Sequence, residues 1–284
     1  MSGLTGLRVL ALESRRAAEL AKLISAYGGE PVVAPAMREV PLDSNTEALS
    51  FAEALLAGRF DVVIFLTGVG TRAVLSVAET KFCRADLVAA LQRTKVVPRG
   101  PKPVAVLREM RVTPALTVPE PNTWRELVQA LDEAAKSSPE FRLPGARIAL
   151  QEYGVSNPEL IAALAERGAV LTRVPVYQWA LPEDTTPLQS AIRDLAGNKI
   201  DAVFFTTSIQ VAHLFQVAGE MNLNEAMRQG LRRAIVASIG PTTSEELERK
   251  GIRPDLEPSH PKMGFLVKET ADQATALLSK KRRI

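Results

Sequence analysis

Apolar residues recur along this chain in two patterns. Short runs at Leu7–Leu12, Pro31–Pro35, Val62–Phe65, Arg147–Leu150, Val170–Tyr177 and Ala202–Phe205 read as strands. The runs Val62–Phe65 and Ala202–Phe205 are unbroken, as expected of strands covered on both faces of a parallel sheet. Between such runs lie segments with apolar residues at helical spacing. Ala17–Tyr27, with Leu20, Leu23 and Ile24 on one face, and Pro158–Arg167 are two of them. Gly28-Gly29 and Gly168 stop these helices, and Asn157 before Pro158 is an N-cap followed by proline at the first helical position. Strands alternating with helices predict an α/β protein with doubly wound parallel sheets. In that architecture ligands bind beyond the carboxyl ends of the strands. The segments placed there are Thr67-Gly-Val-Gly-Thr-Arg72, Gln151-Glu-Tyr-Gly154, Thr206-Thr-Ser208 and Gly240-Pro-Thr-Thr243.

The pattern occurs twice. Gly28 and Gly168, Pro35 and Pro175, Asp61 and Asp201, and Gly100-Pro101 and Gly240-Pro241 are each separated by 140 residues. A constant offset over so long a span predicts two similar α/β domains rather than one large one. Two such lobes imply a ligand cleft at their junction. A simple cut near residue 144 and an exchange of segments between the copies are both compatible with the repeat.

Composition narrows the class. At 284 residues the chain has room for two domains, and its 46% hydrophobic and 24% charged residues are ordinary globular material. No apolar run is long enough to cross a bilayer, so no membrane partner is expected. The first six residues lack the basic and apolar regions of a signal peptide, and Cys83 is the one cysteine, which together suggest a cytoplasmic protein. A lone cysteine and two histidines, His213 and His260, do not make a metal centre, and packing or surface roles are expected for both histidines. Gly68-Val-Gly70 lacks the third glycine of a dinucleotide fingerprint, which counts against a nucleotide-dependent oxidoreductase. The net charge of +3 is a mild excess, and the Lys280–Arg283 run reads as a solvated tail, so no nucleic acid partner is expected. A small positive surplus suits an anionic small molecule.

Several segments, taken in order and spacing, resemble the uroporphyrinogen-III synthase family from Arg8 to about Leu278. They are Arg173-Val-Pro-Val-Tyr177-Gln, Phe204-Phe-Thr-Thr-Ser208, Ser238-Ile-Gly-Pro-Thr-Thr243 and His260-Pro-Lys-Met-Gly264. The resemblance implies two α/β domains joined by a two-stranded connector. One domain would be discontinuous, 4–35 with 181–284, the other would be 42–172, and the connector would use 36–41 and 173–180. It further implies a monomer without cofactor, acting on the anionic tetrapyrrole hydroxymethylbilane. That linear molecule is closed to a ring with loss of water and inversion of its last pyrrole, ring D.

Two physical tasks follow from this chemistry. Hydroxide leaves poorly, so a proton donor helps. The flexible chain must also be held with its ends together. Tyr177 matches the family's tyrosine and is the candidate donor; the competing reading is a tyrosine packed at an interdomain hinge with its hydroxyl satisfied by backbone. For the substrate's carboxylate arms, hydroxyls and helix N-termini are suited. The candidates are Thr67, Gly68, Gly70 and Thr71 in one copy, and Thr206, Thr207, Ser208, Thr242 and Thr243 in the other, with Tyr153 after a strand. The competing reading for these is helix capping. Among basic residues, Lys262 and one of Arg15 and Arg16, taken as Arg15, are favoured over Arg72, Arg99 and Lys102. Two departures from the family pattern stand out: Thr67-Gly-Val-Gly in place of a Thr-Ser segment, and Lys102-Pro103 where a threonine and a small residue are usual. A non-enzymatic two-lobed module that binds or senses a tetrapyrrole-like molecule is the alternative reading.

Overall fold

A computed structural model describes residues 3–41, 46–152, 154 and 156–282. The first half of the chain runs β1 (Arg8–Ala11), α1 (Ala17–Ala26), β2 (Glu30–Val33), β3 (Arg38–Pro41), α2 (Thr46–Leu56) and β4 (Val62–Phe65). It continues with α3 (Gly68–Glu79), α4 (Arg84–Arg93), β5 (Lys95–Pro98), α5 (Pro101–Glu109) and α6 (Trp124–Ser137). The second half opens with β6 (Arg147–Gln151), α7 (Pro158–Glu166), β7 (Val170–Val174), β8 (Tyr177–Ala180), α8 (Thr186–Ala196) and β9 (Ala202–Phe205). Then come α9 (Ser208–Glu220), α10 (Asn224–Arg233), β10 (Ile235–Ser238), α11 (Pro241–Arg249) and α12 (Met263–Arg282). The repeat is exact for seven elements: β2, α2, β4, α3, α4, β5 and α5 begin 140 residues before β7, α8, β9, α9, α10, β10 and α11.

The strands form two parallel four-stranded sheets, ordered β10-β9-β1-β2 and β5-β4-β6-β7, and a separate pair, β3-β8. Each large sheet thus takes two strands from each half of the chain. The central ladders make the joins: Val9 pairs Ala202, and Val62 pairs Ile148. The chain divides into Met1–Arg38 with Ala180–Ile284 (unit 1) and Glu39–Trp179 (unit 2). It passes between them once within β3 and once within β8.

Side-chain alternation builds a core on each face of each sheet. In unit 1, Leu10, Val203, Phe205 and Val236 pack with residues of α8 to α11. Val9, Ala11, Phe204 and Ile235 face the other way, onto α1 and α12. In unit 2, Val63, Phe65 and Val96 face α2 to α5, whereas Val62, Ile64 and Ile148 face α6 and α7. The helix stops act as the sequence suggests. Gly28 and Gly168 have φ of 83° and 80°, left-handed values that cost glycine little. Asn157 accepts a 2.7 Å hydrogen bond from the Leu160 N–H, a cap worth about 1 kcal/mol.

The run Val170–Tyr177, expected as one strand, is two. Val170–Val174 stays in the large sheet as β7, and β8 starts only at Tyr177. Pro175 has no N–H to continue the ladder. Arg173 and Val174 therefore belong to a sheet rather than to the connector expected over 173–180.

One aspartate seals the amino end of each central ladder. Asp201 accepts a 2.8 Å bond from the Arg8 N–H, and Asp61 accepts one of 2.8 Å from the Arg147 N–H. The Arg147 guanidinium also grips Asp61, at 2.7 and 3.1 Å, and this holds the carboxyl below its ordinary range. Because the folded pKa is the lower one, this stability is present above the unfolded carboxyl's value, near 4, and is lost as pH falls through the folded value. The pair is half-exposed, so the gain is small. Asp61→Asn is expected to cost about 0.5–1 kcal/mol at pH 7 in urea unfolding, with the gap to the parent chain closing below about pH 4.

Candidate functional site

In unit 2 the carboxyl end of β4 runs into Thr67, the extended N-cap of α3, whose hydroxyl oxygen accepts from the Gly70 N–H at 3.0 Å. Thr71 gives both its hydroxyl and its N–H to the Thr67 carbonyl, at 2.7 and 2.9 Å. The Tyr177 hydroxyl lies 3.3 Å from the Thr67 hydroxyl, and the ring stands edge-on to Trp179 at 5.2 Å between centroids. Tyr177 is 3% exposed and packs in the core beside β4. A phenol bonded to a threonine hydroxyl at a helix N-terminus can still donate a proton, so the packing does not exclude the catalytic reading.

The two glycines of this turn are explained by close approach. A Cβ on Gly70 would overlap the Gln151 side-chain amide, and one on Gly68 would lie 2.8 Å from the Lys102 carbonyl oxygen. Gln151, 2% exposed at the end of β6, accepts from the Thr67 N–H at 3.4 Å and donates to the Glu152 carbonyl. The departure at Thr67-Gly-Val-Gly is thus the complement of a buried glutamine. Gly70 and Thr71 spend their donors inside the turn, and Thr71 is fully buried. Thr67 is the member of this set that stays half-buried and polar at the strand end.

Sequence reasoning did not single out the next residue, Glu152. It is 4% exposed, and Arg173 holds both its oxygens at 3.0 Å. Arg173 also donates to the Ser156 hydroxyl. The Glu152 hydrogen bonds, and then its charge, raise the Arg173 pKa further. Tyr153 lies outside the described residues.

In unit 1 the corresponding strand end is also polar. Glu13, 9% exposed and two residues beyond β1, accepts the Thr206 hydroxyl proton at 2.5 Å. Gln210, fully buried in α9, donates to the Thr206 hydroxyl oxygen at 2.9 Å and accepts from its N–H at 2.8 Å. Thr206 therefore has its hydroxyl proton committed to Glu13, which leaves none for a ligand carboxylate. Thr207 is the N-cap residue of α9 without a side-chain cap bond, and both Thr207 and Ser208 are half-buried. Thr242 is half-buried in the first turn of α11, whereas Thr243 is 3% exposed and its N–H returns to the Gly240 carbonyl at 3.0 Å. Arg15 is exposed ahead of α1, and neighbouring Arg16 grips Glu19. Lys262 is exposed just before α12. Both histidines are held: His213 donates from Nδ1 to the Ala36 carbonyl at 2.7 Å, and the His260 ring lies 4.6 Å from that of Phe265.

These strand ends offer helix N-termini, hydroxyls and one phenol. Such groups suit binding of an anionic molecule and proton donation. Among the described residues no group of three or more His, Cys, Asp or Glu side chains is arranged to hold a metal ion. No helix among them is long and apolar enough to cross a membrane.

A family model described as uroporphyrinogen-III synthase HemD matches residues 18–268. The chain is 33% identical over 273 residues to the uncharacterized protein YjjA of Bacillus subtilis (strain 168), covering 95% of this chain and 96% of that one. It is 31% identical over 239 residues to a Methanothermobacter thermautotrophicus protein named "Putative uroporphyrinogen-III synthase", covering 84% of this chain and 87% of that one. Its structure resembles a crystal structure of a mutant uroporphyrinogen III synthase from the extremely thermophilic bacterium Thermus thermophilus. The TM-score is 0.74 at 25% identity, covering 97% of this chain and 100% of that one.

The contact between Gly70 and Gln151 can be tested by a double-mutant cycle. Gly70→Ala is expected to cost about 1–3 kcal/mol in the parent chain, by overpacking. In a Gln151→Ala background, where the clashing amide is gone, the same change should cost less than about 0.5 kcal/mol.

Proposed function

This chain belongs to the uroporphyrinogen-III synthase family, and on that premise we propose that it closes hydroxymethylbilane to uroporphyrinogen III with loss of water and inversion of ring D. The observation that carries the reading is the Tyr177 hydroxyl, brought to the strand-end turn of α3 by its contact with Thr67. By the resemblance of the Arg173–Gln178 segment, Tyr177 matches the family's tyrosine. An un-ionised phenol can pass its proton to departing hydroxide. Its burial favours donation over exchange with bulk water.

Ring closure begins when the C–O bond of the ring A hydroxymethyl group breaks and its electron pair leaves on oxygen. That oxygen takes the donated proton and departs as water, leaving an azafulvene cation. The substituted carbon of ring D attacks the cation to give a spiro intermediate, which fragments and recloses with ring D reversed; the proton released as ring D regains its aromaticity replaces the one given by the phenol. The pyrroles supply the electrons, so the protein's main task is to orient the chain.

For the carboxylate arms we assign the strand-end groups with polar surface still available: Thr67, Thr207, Ser208 and Thr242, with Lys262 and Arg15 as the charged partners. Gly68, Gly70, Thr71 and Thr243 shape the turns that present them. Tyr153 is retained as a contact because of its place in the sequence after β6.

Incubation with freshly prepared hydroxymethylbilane tests the reading. The expected product is the type III isomer; type I alone, the product of spontaneous closure, would contradict it and leave the binding-module alternative. Tyr177→Phe is expected to lower kcat on the order of a hundredfold with the circular dichroism spectrum unchanged. Full turnover in a folded Tyr177→Phe chain would remove this residue from the proton-donating role.

A further inference from the structure

The repeat allows one strand end to be compared with the other, residue by residue. Ala11 pairs with Val33 and Phe204, as Leu150 pairs with Arg173 and Ile64. Glu13 and Glu152, each two residues further on, are therefore counterparts, and so are Val33 and Arg173. Both glutamates are buried, at 9% and 4% exposure.

Their charge environments differ. Glu152 is neutralised by the bidentate grip of Arg173. At the corresponding position beside Glu13 stands Val33, which is 41% exposed. The partners of Glu13 are the Thr206 hydroxyl at 2.5 Å and the Arg16 backbone N–H at 3.4 Å. The Arg16 guanidinium is turned to Glu19 and feels Glu13 only as a weaker, more distant charge. Among the described residues no basic side chain comes within ion-pair distance of Glu13.

A buried acidic group without a counter-ion is costly to maintain and repels a ligand carboxylate. Its hydrogen-bonded neighbours also point the same way. Gln210 donates to Thr206, and Thr206 donates to Glu13, so the chain of donors ends on Glu13 oxygen. Such a site favours a group carrying positive charge.

We propose that Glu13 stabilises the positive charge formed on the substrate during ring closure, so that the Thr206 strand end receives the cationic pyrrole rather than a carboxylate arm. This rests on the reaction assigned above. Glu13 forms no covalent bond. When the C–O bond breaks and oxygen leaves with the electron pair to become water, the positive charge spreads from the exocyclic carbon onto the pyrrole nitrogen, and Glu13 is the fixed negative partner. The interaction is absent for the neutral hydroxymethyl pyrrole, so it should act on kcat and hardly on KM.

Two variants test this in the full chain with hydroxymethylbilane as substrate. Glu13→Gln keeps the shape and an acceptor for Thr206 but removes the charge; kcat should fall about tenfold or more with KM within about threefold of the parent. Glu13→Asp, which retains the acid, should recover part of the loss. Val33→Arg leaves Glu13 in place and installs the counter-ion that Arg173 supplies to Glu152; kcat should fall in the same sense, whereas Val33→Leu should leave it unchanged. Val33→Arg alters an exposed position, so it decides the question even if Glu13→Gln fails to fold. An active parent with both Glu13→Gln and Val33→Arg at parental kcat overturns the role of Glu13 alone. A parent that yields only the type I ring overturns the reaction assignment and this inference with it.

Discussion

The parallel ladder between β1 and β9, with its counterpart between β4 and β6, is the interaction on which the remaining architecture depends. Each ladder lies at the centre of a four-stranded sheet and joins segments far apart in sequence. Without it each sheet would fall into two-stranded pieces, which are marginal in water. Closing so long a loop costs little more than closing a shorter one, because the entropy rises only about 0.6 kcal/mol per doubling of length. Burial on both faces of Val62–Phe65 and Ala202–Phe205 offsets that cost.

The same ladders assemble the candidate chemistry. Glu13 comes from the end of β1 and Thr206 from the end of β9, and they meet because those strands are neighbours. Thr67 follows β4 and Gln151 ends β6, and their contact has the same origin. Tyr177 reaches Thr67 from the start of β8. Each polar cluster therefore combines residues from both halves of the chain. Duplication supplied two similar scaffolds, and the differences between them carry the functional asymmetry. One strand end holds a neutralised Glu152–Arg173 pair and a turn packed on Gln151; the other holds Glu13, with no basic side chain at ion-pair distance among the described residues.

Much of the scaffold can be read from the chain. The apolar runs and the 140-residue offset identify strands and helices because they reflect local burial and capping. Asn157, Gly28 and Gly168 act locally, and they do what their residue types suggest. The exchange of strands between halves is not local, and the repeat is equally compatible with a cut near residue 144. The expected strand Val170–Tyr177 was too long because hydrophobic continuity outweighed the missing N–H of Pro175. At the site, the threonines and Tyr177 were visible as strand-end residues. Gln151 and Glu152 fall in a strand-end segment too, but the burial of these two and of Glu13 and Gln210 is not legible, since such side chains are usually solvated and their burial follows from tertiary packing. The one available signal was position: Glu13 and Gln151-Glu152 lie at or just beyond the ends of apolar strand runs. Conversely, Thr206 has the residue type and position of an anion-binding hydroxyl, but its proton is directed at Glu13.

The central claim, that each sheet is built from both halves of the chain, is tested most directly by producing pieces cut in two ways. Residues 39–179 contain the whole β5-β4-β6-β7 sheet, whereas residues 1–144 contain half of each large sheet. In denaturant titrations followed by circular dichroism, 39–179 should unfold in one cooperative transition and 1–144 should show none. A cooperative fold for 1–144 with 39–179 unstructured would contradict the account.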